Sequence, residues 1–89
     1  MDGEAAKSLV FTRAAARSLG RLPKNAEDLI REKLRSYARD SGSLANNVKA
    51  LKGEGKRLRL RVGNWRAIFT IEPDRIIVHA VGPRSTIYD

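Results

Sequence analysis

One stretch constrains this chain more than any other: Arg57-Leu58-Arg59-Leu60-Arg61-Val62-Gly63-Asn64-Trp65-Arg66-Ala67-Ile68-Phe69-Thr70. Arginine and apolar residues alternate, a Gly-Asn pair intervenes, and a second alternating run follows. A period of two belongs to a β-strand that buries one face and exposes the other. Gly-Asn between two such runs marks a two-residue hairpin turn. That turn sets Val62 opposite Trp65 and Arg61 opposite Arg66, and directly opposed residues share a face. One side then carries Arg57, Arg59, Arg61, Arg66, Ile68 and Thr70. The other carries Leu58, Leu60, Val62, Trp65, Ala67, Phe69 and Ile71, which are wholly apolar and expected to form the core.

The same counting extends past Pro73-Asp74, read as a second two-residue turn, into Arg75-Ile76-Ile77-Val78-His79-Ala80-Val81. This β-branched run suits a central strand. Glu72 is expected opposite Arg75, and Ile68 opposite His79. Ile76, Val78 and Ala80 would join the core, while Ile77, His79 and Val81 would share the arginine face. Gly82-Pro83 is expected to stop the strand, with Thr86-Ile87-Tyr88 a short further strand or extended tail.

Upstream, Leu9-Val10-Phe11 is long enough for one strand. Thr12 is placed to cap a helix through Ala14, Ala15, Arg17 and Leu19, and Gly20 and Pro23 bracket a break. Asn25 is expected to cap a second helix, with Asp28 in its first turn, where negative charge suits the helix dipole. Ala26, Leu29, Ile30, Leu34, Tyr37 and Ala38 recur at helical spacing on one face, leaving Arg31, Lys33, Arg35 and Arg39 mostly to solvent. Ser41-Gly42-Ser43 is expected to end that helix, and residues 1–7 to fray. Residues 44–56 stay open between a strand around Val48, Ala50 and Leu51 and a loop at Gly53 and Gly55. The expected architecture is α+β in the order β-α-α-β-β-β, a helical hairpin packed on a small antiparallel-rich sheet, with residues 1–89 as a single domain.

Charge narrows the function. The 89 residues carry a formal charge of +8. Residues 52–66 alone hold Lys52, Lys56, Arg57, Arg59, Arg61 and Arg66 against Glu54. A row of guanidiniums on a rigid surface suits the phosphates of a nucleic acid or an acidic protein. Arg61 opposite Arg66 is locally unfavourable, and a bound anion would relieve the pair. The chain has no cysteine and one histidine, His79. It therefore offers no disulfide framework and no thiolate or multi-histidine metal site within one chain. No apolar run approaches membrane-spanning length, and the first residues lack a secretory pattern. A cytoplasmic protein with no cofactor, no metal and no membrane partner is the expectation. No serine nucleophile has a neighbouring base motif, and Gly53-x-Gly55 is too short for a phosphate loop.

Three groups of residues together carry a family resemblance. They are the strand before Thr12 with Leu22-Pro23 at the helical corner, Leu51-Lys52-Gly53 with the arginine hairpin, and Val81-Gly82-Pro83-Arg84-Ser85-Thr86-Ile87-Tyr88. In these the chain resembles the RelE/ParE superfamily of toxins from type II toxin–antitoxin systems, over nearly its whole length. The resemblance implies a RelE-like fold and a cognate antitoxin as partner. For the RelE branch, it also implies ribosome-dependent endonucleolytic cleavage of mRNA by metal-independent 2′-OH attack on the scissile phosphate. The ParE branch would instead poison DNA gyrase without nuclease chemistry.

Carried over by position, Arg59, Arg66, Arg84 and Tyr88 are the implied catalytic residues, and Lys52, Lys56, Arg57 and Arg61 the implied substrate-binding ones. Arg57 and Arg59 would lie near the attacking group, and Arg61 and Arg66 would hold the phosphate. Arg84 would act as a clamp and candidate proton donor, and Tyr88 would stack on or orient the nucleotide. Pro83 stands where many relatives have histidine, and Ser85 where a second basic residue is common. Arginine is a poor proton acceptor, so the general base stays open among Lys52, Lys56, His79 and Glu54.

Overall fold

The computed structural model describes residues 7–40, 46–51, 53 and 55–87. The expected roles of Lys52, Glu54 and Tyr88, the fraying of residues 1–6 and the helix stop at Ser41-Gly42-Ser43 lie outside these. Lys7 is described and is anchored rather than frayed. Its N–H donates to Ala38 O at 3.2 Å, and its Nζ to Pro73 O at 2.8 Å.

The chain runs β1 (Ser8–Phe11), α1 (Arg13–Gly20), α2 (Lys24–Arg39), β2 (Val48–Ala50), β3 (Leu58–Val62), β4 (Trp65–Ile71) and β5 (Arg75–Pro83). The five strands form one sheet in the order β1-β5-β4-β3-β2. β1 lies parallel to β5 and the other neighbours are antiparallel, so the fold is α+β with a mixed sheet. β2 resolves the open reading of residues 44–56: three residues pair with β3 before Gly53 (φ 73°) and Gly55 (φ 65°) turn the chain. Both angles lie in the left-handed region that glycine enters without steric cost.

Thr12 caps α1 as expected, its Oγ1 accepting from the Ala15 N–H at 3.1 Å. The start of α2 is a correction. Its N-cap is Pro23, not Asn25, and Pro23 O accepts the first helical bond from the Glu27 N–H at 2.9 Å. Proline has a preset φ and its carbonyl is still available there, so the helix begins one turn-corner earlier than a side-chain cap would place it. Lys24 and Asp28 then pair at 2.8 Å one turn apart.

The core lies between the helical pair and one face of the sheet. Ala15, Leu19, Ile30, Leu34 and Tyr37 meet Leu60, Val62, Ala67, Phe69, Ile76, Val78 and Val81. Phe69 is fully buried at its centre, with the Tyr37 ring edge-on at 5.3 Å. Trp65 and Leu58 pack against this cluster. Each fully buried aliphatic or aromatic side chain contributes roughly 1.5–3 kcal/mol. Ile71, expected in the core, is 39% exposed at the end of β4.

The β3–β4 register is the expected one: Val62 pairs with Trp65, Arg61 with Arg66 and Leu58 with Phe69. Gly63 takes the first turn position at φ 58°, as a type II′ hairpin turn requires. The β4–β5 register starts as expected at Ile71↔Ile76 and then shifts. Phe69 pairs with Val78, but Ile68 pairs with Ala80. His79 is the extra residue of a β-bulge, which leaves two residues of one strand facing one of the other. The alternation inverts beyond it. Val81 is buried in the core and Ala80 joins Ile68 on the arginine face, the reverse of the two-residue count. β5 also continues through Pro83, and Thr86 and Ile87 form a turn instead of a further strand. Among the described residues, no helix is long and apolar enough to cross a membrane.

Candidate functional site: an arginine-rich sheet face

The face of the sheet opposite the helices gathers the cations. Cross-strand pairing lays them out in rows. Lys49, Arg59, Ile68 and Ala80 form one row across β2 to β5. Arg61, Arg66 and Gly82 form the next, beside the hairpin turn. Arg57 precedes Leu58 on the other side of Arg59, next to Thr70 and Ile77. Arg84 follows β5 and is tied to the hairpin by its N–H, which donates to Asn64 O at 2.9 Å. The expected residues Arg59, Arg61, Arg66 and Arg84 are therefore brought together. Arg57 stands one row away, and Lys56 is an exposed turn residue before β3. Lys49 was not anticipated. Its three-residue strand is too short for alternation to be legible, and only its pairing with Arg59 places it on this face.

Arg66 is the centre of the group. The residue is half-buried, and its Nη1 donates to Gly63 O and Trp65 O, both at 2.9 Å. Among the described residues its hydrogen bonds come from Nη1 alone, so the edge formed by Nε and Nη2 is left for an external acceptor. Two parallel N–H groups match a carboxylate or phosphate bidentately. The affinity of Arg66 for its proton is lowered from the usual arginine value, first by burial and then by Arg59, Arg61 and Arg84. All three charges acting on it are positive. The site therefore holds electrostatic repulsion that an anion would relieve.

His79 lies at the bulge, with its Nε2 2.9 Å from Thr70 Oγ1. Burial holds its pKa below the ordinary histidine value, and Arg57 lowers it further. It is therefore neutral at pH 7 and able to accept a proton. On the opposite side of the molecule, Arg31 pairs with Glu27 at 3.2 Å and stacks over Phe11 at 5.3 Å, which accounts for it structurally.

The model of the ParE toxin family, described as the ParE toxin of the type II toxin–antitoxin system parDE, matches residues 9–88. The chain belongs to that family, within the RelE/ParE superfamily, and is the toxin of a toxin–antitoxin module. Solved structures agree in fold. The RelBE2 complex from Mycobacterium tuberculosis superposes with a TM-score of 0.76 at 21% identity, covering 90% of this chain and 100% of that one. The RelB–RelE complex from Methanococcus jannaschii gives 0.67 at 26% identity, over 90% and 95%. An arginine-substituted variant of Escherichia coli RelE in the free state gives 0.74 at 17% identity, over 92% and 87%. No curated protein sequence matches.

Proposed function

We propose that this toxin cleaves mRNA on the ribosome, its arginine face receiving the scissile phosphodiester. The observation that carries the reading is Arg66, which has a guanidinium edge with no partner among the described residues and lies beside Arg59, Arg61 and Arg84. Attack of a ribose 2′-OH on the adjacent phosphorus builds negative charge on the non-bridging oxygens. Donors already fixed around that position stabilise it without reorganisation. Arg66 and Arg61 hold the phosphate, Arg84 clamps it from the end of β5, and Arg59, Arg57, Lys49 and Lys56 follow the flanking backbone. Lys52 and Tyr88, implied by the family resemblance, complete the substrate-binding and catalytic sets. The bond formed is 2′-O–P and the bond broken is P–5′-O, which leaves a 2′,3′-cyclic phosphate and a 5′-hydroxyl. The reaction needs no metal or cofactor.

The partner that restrains the toxin in this proposal is an acidic antitoxin segment bound against the basic surface. The likeness to complexes that contain RelB antitoxins supports it. A gyrase-poisoning role is the second reading, favoured by the match to the ParE model. One experiment separates the two. Wild type, Arg66→Ala and Arg84→Ala are incubated with mRNA on programmed ribosomes and, separately, with gyrase and supercoiled DNA. The expected result is cleavage by wild type that falls at least about a hundredfold in Arg66→Ala. Intact mRNA together with trapped gyrase–DNA complexes would overturn the nuclease reading.

A further inference from the structure

Gly82 lies directly opposite Arg66 in the β4–β5 ladder. Its φ lies outside the left-handed region, which among glycines is occupied by Gly53, Gly55 and Gly63. The backbone therefore does not require glycine there; what bears on the position is the close approach of one side chain. A Cβ at position 82 would stand 3.2 Å from Ile87 Cγ1 and 3.5 Å from its Cδ1. In a strand, that Cβ would point to the same face as the Arg66 side chain. The chain after β5 turns back to reach this spot. The N–H groups of Thr86 and Ile87 both donate to Pro83 O, at 2.9 and 3.0 Å, while the Arg84 N–H holds Asn64 O. The side chain of Ile87 thus rests on bare backbone beside Arg66, and the turn it closes carries Arg84.

We infer that Gly82 and Ile87 form a seat that positions Arg84 against Arg66. Neither residue offers a charge or a proton. They are positioning residues, and they act by fixing the turn at 83–87 over the end of the arginine face. A methyl at position 82 makes the Ile87 side chain give by about a few tenths of an ångström, which loosens the two bonds to Pro83 O and shifts the turn that carries Arg84. Removing the Ile87 branches in the same chain takes away the atoms that a methyl at position 82 would meet, so the two substitutions do not act independently. The consequence for catalysis rests on the nuclease reading; the seat itself does not.

The test uses the full chain as wild type, Gly82→Ala, Ile87→Ala and the double variant. Amide hydrogen exchange is followed at Thr86, Ile87 and Arg84, and single-turnover cleavage is measured on programmed ribosomes. In Gly82→Ala, the Thr86 and Ile87 amides are expected to exchange about tenfold faster, with the core amides of Phe69 and Val78 unchanged. The cleavage rate constant is expected to fall about tenfold, with the half-saturating toxin concentration within about twofold of wild type. In the Ile87→Ala background, Gly82→Ala is expected to change both readouts by less than about threefold, because the atoms its Cβ would meet are gone. Unchanged exchange in Gly82→Ala, or losses that multiply in the double variant, would overturn the seat. If wild type itself cleaves nothing, the nuclease reading fails and the exchange data alone decide the seat.

Discussion

Replacing Arg61 by glutamine is expected to make the folded protein more stable while weakening its grip on RNA. Arg61 and Arg66 face each other one step in from a two-residue turn. In that geometry the pair closing the turn shares backbone hydrogen bonds. The next pair does not, and its side chains approach more closely, with Cα atoms about 4.5 Å apart. Two unit charges about 6 Å apart in water repel by about 0.7 kcal/mol, which falls to about 0.3 kcal/mol at physiological salt. No side-chain hydrogen bond of Arg61 opposes this gain among the described residues, since Asn47 Nδ2 reaches only its backbone oxygen at 3.4 Å. For a domain of this size, 0.7 kcal/mol corresponds to a rise in Tm of about 3–5 °C.

Thermal unfolding in 10 mM and 1 M salt is the assay. The gain should be present in the first and absent in the second, where the screening length is about 3 Å. In parallel, the salt dependence of binding to a single-stranded RNA should flatten by about 0.7 in log–log slope, the equivalent of one lost phosphate contact. A lower Tm at low salt, or a gain that survives 1 M salt, would refute the claim that the hairpin stores like-charge repulsion.

Other outcomes follow from the same structure. The pKa of His79 is lower in the folded chain than in the unfolded one. Its stabilising contribution is therefore complete above the unfolded value near 6.5 and is lost as pH falls from there through the folded pKa. Wild type should lose Tm over that window more steeply than His79→Gln, as differential scanning calorimetry at pH 7.5 and 5.5 would show. Phe69→Ala should cost about 3–5 kcal/mol in urea unfolding, because Phe69 is fully buried where sheet and helices meet. Gly63→Ala forces a side chain into φ 58° and should cost about 1–2 kcal/mol in the same experiment.

Much of this architecture is legible in the linear order of residues, for a physical reason. Alternation from Arg57 to Phe69 permits only one strand pairing that puts Leu58, Leu60, Val62, Trp65, Ala67 and Phe69 on a single face, so the hairpin register and its two faces follow directly. Thr12 reads equally plainly, since a hydroxyl before a helical run has few other uses. The misplacements have equally physical causes. The bulge at His79 inserts a residue with no local signal, because Ile77 to Val81 is apolar on both sides of it and either register buries hydrophobic surface. Pro23 displaces Asn25 as the cap through its backbone alone, without a side-chain bond that a residue type would reveal. Lys49 becomes part of the site only through a long-range pairing with Arg59. Arg84 shows the same limit. Its motif marks it, but its approach to Arg66 depends on Asn64 O, twenty residues earlier, and on the space left above Gly82.

The central claim is that the arginine face of the sheet is the surface that receives RNA. Titrating the full chain with an RNA oligonucleotide blocked at its 2′ positions, while following backbone and arginine Nε resonances by NMR, addresses it directly. The account expects the largest shifts at Arg59, Arg61, Arg66, Gly82 and Arg84, with little change along α1 and α2. Shifts confined to the helical side, or an arginine face silent at saturating RNA, would contradict it.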